Sequence, residues 1–299
     1  MSTMDSATKS GILYGVSAYL LWAFAPLYFK TIDHVPALDI LSHRILWSFV
    51  IVVVLLLVLG KWRDLKAALS KRVLLAMLVS ALLIALNWGT YIYAVNSHQL
   101  LSASLGYYIN PLVSIVLGMI FFKDRLDRPK QLAAWLCLLA VVFEVVQFGR
   151  LPWIALTLAL SFGLYGLVRK KIAVDSFTGM TLETAILLPY ALLQLHWFGT
   201  DIGFMQEGEW TSSLLLMAAG PVTMVPLMCF AAAANRVSLV TLGFFQYIGP
   251  SSMFVLAVFL YDEPFSSAKL VTFGLIWMAL VILVISSIKQ LRRQRNLIT

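Results

Sequence analysis

Charge is scarce in this sequence. Only 12% of the 299 residues are Asp, Glu, Lys or Arg, where a soluble domain carries about 25%. Hydrophobic residues make up 61%, and the mean hydropathy is +0.90. A soluble fold cannot hide that much apolar surface, because its own surface grows with its mass. Cysteine is nearly absent too. Cys137 and Cys229 both sit in apolar runs, which excludes a disulfide or thiolate–metal framework. There is no His-Glu-x-x-His pair, no Walker loop and no Gly-x-Ser-x-Gly elbow, so ATP is not the direct energy source within this chain. The histidines, His34, His43, His98 and His196, are too dispersed for a metal site. No cofactor is expected. These absences leave a polytopic membrane protein.

A bilayer core needs about 20 apolar residues per helix. Ten runs meet that need, at about 10–30, 39–60, 73–95, 102–122, 130–148, 152–169, 178–198, 212–234, 239–260 and 269–288. The runs are continuous rather than alternating, which predicts helices and not a barrel. Too little chain remains for a soluble domain. The first run resembles a signal peptide, with Lys9 ahead of it and Ala23-Phe24-Ala25 like a cleavage site. It is long for that role, and Pro26 stands where a mature chain would begin.

The basic residues set an orientation. With a cytoplasmic N-terminus and ten helices, 18 of the 22 Lys and Arg residues fall on the cytoplasmic side, in clusters such as Lys61–Arg72, Lys123–Lys130, Arg169–Lys171 and Lys289–Arg295. Lys30, Arg150 and Lys269 fall outside, and Arg44 lies within a span. This is the positive-inside pattern with both termini in the cytoplasm. It explains the net charge of +8 without nucleic acid, since no basic domain lies outside the membrane.

The chain also resembles itself. A shift of 139 residues lays Ala94-Val95-Asn96 on Ala233-Ala234-Asn235, and Tyr108-Ile109-Asn110-Pro111 on Tyr247-Ile248-Gly249-Pro250. Asp124 meets Glu263 and Lys130 meets Lys269. Two units follow, 1–149 and 150–299, each of five helices. An odd number inverts the second unit. The charges agree, with Lys123-Asp124-Arg125 a basic inner loop and Asp262-Glu263-Pro264 an acidic outer one. Inverted repeats are a signature of alternating-access carriers.

Leu105–Pro111 (LGYYINP) and Thr241–Pro250 (TLGFFQYIGP) resemble the fourth and ninth helices of the RarD proteins, which are EamA permeases of the drug/metabolite transporter superfamily. Ser42-His43-Arg44, Asn87-Trp88 and Phe162–Lys171 carry the same resemblance, which spans nearly the whole chain. It implies a ten-helix permease of the bacterial inner membrane. The usual label of these proteins, chloramphenicol-sensitive, names a phenotype and not a substrate. Small multidrug resistance exporters, distant relatives, use a glutamate in the first helix. Gly11–Phe29 has no carboxylate, so that mechanism does not carry over.

Several side chains are candidates for a solute path. Arg44 lies about five residues inside the second span, where an arginine at a helix centre costs about 2.5–3.5 kcal/mol. It reads as an anion or carboxylate anchor, or as a snorkelling residue, although an outer arginine runs against the positive-inside bias. His43 beside it is a proton-relay candidate. Glu183 stands 139 residues after Arg44. It reads as an interfacial carboxylate in the first turns of its helix, or as a proton site. As symmetry mates, the two are not expected to pair. Glu144, near the outer end of the fifth span, is a second coupling candidate and a charge partner for Arg44. Asn87 and Tyr91 share a face, as do Tyr107, Asn110 and Ser114. With Gln246, these groups would bond solute or glue helices together. Trp22, Trp47, Trp88, Tyr93, Tyr108, Tyr165 and Tyr247 would line an aromatic cavity or anchor helix ends, with Trp88 and Tyr165 the deeper pair. Pro111 and Pro250 would bend two helices around that cavity.

The expected protein is an all-α integral membrane carrier of a small organic solute, with the bilayer as its surroundings and no catalytic role. Rivals are an enzyme acting on lipid-linked substrates, which would need a catalytic constellation, and a channel. Oligomeric state, substrate and coupling ion are not legible in the sequence.

Overall fold

Backbone groups in an apolar medium have no water to bond, so each apolar run must satisfy its own N–H and C=O groups, and helices do so. In a computed structural model, described for residues 6–123, 127–148, 152–199, 210–262, 264 and 266–296, every apolar run is helical. The helices are α1 (Ser6–Ala23), α2 (Ala25–Thr31), α3 (Ala37–Val58), α4 (Trp62–Ala68), α5 (Lys71–Asn96), α6 (Leu100–Phe122), α7 (Arg128–Phe148), α8 (Trp153–Ile172), α9 (Ser176–Trp197), α10 (Trp210–Ala234), α11 (Leu239–Phe245), α12 (Ile248–Phe259) and α13 (Ser267–Asn296). Among the described residues there is no strand. Among the described residues, six segments are long and apolar enough to cross a membrane, the first being α1 and α2 together.

Large apolar side chains point outward along the helices. Leu57, Val58, Ile120, Val146 and Phe259 are all more than 60% exposed. Such a surface would aggregate in water and suits lipid. Exposed Trp62, Trp153, Trp197 and Trp210 sit at helix ends, where an indole spans the border between apolar and wet layers.

Inside, α6 packs on α8, α7 on α13, and α3 on both α9 and α10. Helix α1 packs on α10, and α5 packs on α8. Without a hydrophobic drive between helices in lipid, close approach through small residues matters. Gly106 shows it: a Cβ there would lie 2.8 Å from the Ala155 carbonyl oxygen, so only glycine lets α6 meet α8.

The two ends of the bundle are tied differently. At the Lys61 end, Asp175 caps α9 by accepting from the amides of Phe177 (3.1 Å) and Thr178 (3.0 Å), and lies 3.5 Å from Lys61. Burial works to raise the Asp175 carboxyl. Bonds from Thr178 and Phe177, with the charge of Lys61, outweigh it and hold the group below the usual carboxylate range. Asn235 donates to the Val174 carbonyl at 3.1 Å. At the opposite, Lys30 end, Asn96 donates to the Val35 carbonyl at 3.0 Å. There the Tyr28 hydroxyl donates to the Leu215 carbonyl, and Gln194 donates to Asp39 at 3.3 Å.

Proline acts unequally on the helices. The first run breaks at Phe24, ahead of Pro26, and the ninth breaks at Gln246-Tyr247, ahead of Pro250. Helix α6 runs unbroken through Pro111. The bend expected there does not interrupt the helix. Gly249 in the ninth run stands 139 residues after Asn110, and glycine costs a helix about 1 kcal/mol, so the ninth run yields where α6 holds.

Candidate functional site

The breaks meet at one place. A cavity lies between Tyr19, Trp22 and Phe29 of α1 and α2, Arg44 of α3, Asn87, Trp88 and Tyr91 of α5, Tyr107 of α6, Phe162 of α8, Thr223 of α10, and the Gln246 break with Gly249 and Met253. Seven of the sequence candidates line it: Trp22, Arg44, Asn87, Trp88, Tyr91, Tyr107 and Gln246.

Arg44 is 3% exposed. Its guanidinium carbon lies 4.0 Å from the Trp88 ring centroid and 5.5 Å from that of Phe29, a cation–π arrangement. Its Nε and Nη1 have no hydrogen-bond partner, and no carboxylate among the described residues lies within ion-pair distance. Around it the wall is aromatic. Tyr91 meets Phe29 and Tyr107 edge-on at 5.7 and 6.0 Å, and Trp22 meets Phe162 at 5.6 Å. Asn87 combines both expected roles. Its amide donates to the Leu158 carbonyl and the Ser161 hydroxyl, each at 3.0 Å, tying α5 to α8, while its oxygen accepts from Tyr107 at 3.4 Å. Gln246 has a buried Oε1 with no partner.

A second cluster lies toward the Lys61 end. Glu183, 1% exposed, is 3.5 Å from the guanidinium of Arg169 on α8. It accepts from the Ser80 hydroxyl at 2.5 Å and from the Tyr165 hydroxyl at 3.5 Å. Arg169 is itself 2% exposed. Gly179 makes room for it, since a Cβ there would collide with the Arg169 guanidinium. A buried pair of opposite charges replaces the interfacial carboxylate expected at Glu183.

The remaining candidates lie apart from the cavity. Tyr165 belongs to the Glu183 cluster and stacks on Phe230 at 5.9 Å. Tyr247 packs against Tyr108 at 6.3 Å, with its hydroxyl 3.6 Å from Cys137 Sγ. Asn110 is buried where α6 crosses α8 beside Gly163. His43 is fully buried on α3. The Glu144 side chain falls outside the described residues.

The comparisons with known proteins agree with the site's setting. Residues 9–146 match the EamA-like transporter family. Protein RarD of Escherichia coli K12 is 51% identical over 96% of this chain and 97% of its own length. The chain belongs to the RarD family of EamA-like transporters. It is a multi-pass membrane transporter. Other RarD-family relatives include an "Uncharacterized transporter" of Vibrio cholerae, 48% identical over 97% of this chain and 96% of its own length. The "Chloramphenicol-sensitive protein RarD" of Pseudomonas aeruginosa is 29% identical over 95% and 96%. A solved crystal structure, 18% identical, superposes with a TM-score of 0.66 over 92% of this chain and 97% of that one, a likeness of fold alone.

Sequence reading missed Tyr19, Phe29, Phe162, Thr223 and Met253 in the cavity wall. An apolar or aromatic residue in an apolar helix carries no mark of which face it lines. It also placed Arg169 among solvated loop charges. Lys170 and Lys171 beside it masked the difference, although Gly179, one turn into the next helix, is a signal of close approach.

Proposed function

We propose that this protein is a secondary carrier that exports small organic metabolites or drugs across the bacterial inner membrane by alternating access of two inverted five-helix repeats, 1–149 and 150–299. The observation that carries this reading is the aromatic cavity, with Arg44 as the one charge among its described residues, between helices of both repeats. Carriers hold their solute where the repeats meet, on discontinuous helices, and two of the cavity's walls are helix breaks.

Three pairs of features support the inverted arrangement. The bonds Asn96–Val35 and Asn235–Val174 are related by the same 139-residue shift at both partners. Lys123 and Asp262, also 139 apart, both follow their helices at positive φ, 57° and 50°. Tyr108 and Tyr247 face each other, as mates do across a pseudo-twofold axis. Helix pairing follows suit: α1 on α10 mirrors α8 on α5.

The Lys61 end faces the cytoplasm in this reading, as do both termini. A wide cleft there, lined by Lys61, Phe177 and Arg236 among others, reaches Met224, the neighbour of Thr223 in the cavity wall. It is the cytoplasmic mouth of the path. The Tyr28–Leu215 and Gln194–Asp39 bonds close the other side. Opening that side requires parting them, and closing the cleft brings α1 and α3 toward α9 and α10.

Flux in proteoliposomes tests the reading. Saturable uptake is expected from a panel of amino acids, nucleosides, aromatic acids and drugs. Absence of flux across the whole panel overturns it, and turnover without flux favours the enzyme. Topology has its own test. Ala67→Cys and Ser266→Cys are both exposed and are expected to react with a membrane-impermeant maleimide from opposite faces. Reaction from one face removes the inverted repeat.

A further inference from the structure

The carrier reading leaves the solute open, and Arg44 narrows it. An arginine stays protonated at any pH the protein meets. Burying an unpaired ion costs several kcal/mol, and intramembrane charges are kept where they serve a path. Arg44 is buried at 3% exposure with Nε and Nη1 unpartnered. Trp88 and Phe29 supply only ring faces. No acidic side chain among the described residues lines the cavity. The described wall therefore holds one net positive charge, and the missing negative charge arrives with the solute. A planar guanidinium fork matches a carboxylate.

The rest of the wall sets the body of the solute. Rings of Trp22, Trp88, Tyr91 and Phe162 offer flat, apolar faces. An acceptor lies among them: Gln246 Oε1 is buried without a partner. A neutral acceptor suits a hydroxyl donor. An ammonium would bring a second positive charge into a described wall that has no acid to balance it.

We infer that the solute is a compact aromatic monoanion whose carboxylate pairs with Arg44 and whose hydroxyl meets Gln246 Oε1. This rests on the carrier reading for its transport role but not for binding. The probe is 4-hydroxybenzoate, titrated into the purified full-length protein by calorimetry. Its neutral and cationic counterparts are 4-hydroxybenzyl alcohol and tyramine, and the zwitterion is tyrosine. Saturable binding of 4-hydroxybenzoate is expected, with the others weaker by about tenfold or more, as loss of a charge-assisted bond requires. Benzoate, lacking the hydroxyl, is expected to bind only a few-fold weaker. Arg44→Met removes binding of both acids. Arg44→Lys, which keeps charge without the fork, weakens it several-fold and decides the matter if the first variant does not fold. Tyramine, tyrosine or the alcohol binding as well as the acid, either variant binding like wild type, or no binding of the acids at all overturns the inference. The failures separate cleanly. Arg44-dependent binding without flux into proteoliposomes sinks the carrier and leaves the site. Flux of other solutes, unaffected by 4-hydroxybenzoate, sinks the site and leaves the carrier.

Discussion

Two arginines among the described residues are buried in this bundle, and they are held in opposite ways. Arg169 faces Glu183 at 3.5 Å, and that carboxylate is held in turn by Ser80 and Tyr165. Arg44 faces rings. The contrast is sharper because the positions are related by the repeat: Arg44 corresponds to Glu183, and Lys30 corresponds to Arg169, each 139 residues away. Where the second copy carries a base and an acid that close on each other, the first carries two bases. Lys30 turns outward to Asp33 at 2.8 Å, and Arg44 is left facing the cavity. In the proposed repeat the asparagine bonds at the helix ends recur and the charge pattern does not. A neutral, closed pair holds helices together. An open cation in the same frame is a site.

The largest effect should come from breaking the closed pair. Glu183→Gln leaves Arg169 buried without its counter-ion, and the expected loss is about 3–5 kcal/mol of stability, read from unfolding in detergent. Arg44→Met is expected to leave stability unchanged or to raise it, because it removes a buried cation that has no acid to strand. Equal losses from the two variants would break the comparison outright.

A double replacement sharpens it. Arg169→Met with Glu183→Leu exchanges the pair for apolar groups, and buried pairs replaced in this way are often neutral. Most of the stability lost by Glu183→Gln alone should return. If the double variant is as unstable as the single one, the Ser80 and Tyr165 hydroxyls, left without their acceptor, matter more than the charges.

Much of this was legible in the residues. Helix positions follow from apolar runs, because a run of that length has one way to satisfy its backbone in lipid. Arg44, Asn87 and Gln246 stood out for the same reason: a polar group in such a run needs a partner or a purpose. Pairing was less visible. Sequence marks that Glu183 is charged, but which face of α8 carries Arg169 depends on rotation about a helix whose apolar residues surround it on every side. The neighbours Lys170 and Lys171 turn elsewhere, Lys170 to the carbonyls of Ala234 and Val237. Three adjacent charges thus have different surroundings, and only packing distinguishes them. The cavity's aromatic wall was hidden likewise, since Phe29 and Phe162 differ from lipid-facing phenylalanines only in orientation.

The smallest effect concerns what the two copies kept. Asn96 and Asn235 each donate one bond to a loop carbonyl, at 3.0 and 3.1 Å. A bond of this kind contributes about 0.5–1.5 kcal/mol net. Each has a reason to fall at the low end. The Asn235 bond is exposed, so water replaces much of it after truncation. Asn96 carries a buried Oδ1 with no partner, and Asn96→Ala removes that burden along with the bond. The two alanine variants should therefore lose similar amounts, about 1 kcal/mol or less. Lying at opposite ends of the bundle, they should add to within about 0.5 kcal/mol in the double variant. A loss several times larger at one end would mean that this end is not merely tied but is the one strained in this state, and the backbone symmetry argued from these bonds would then be one of contacts and not of energy.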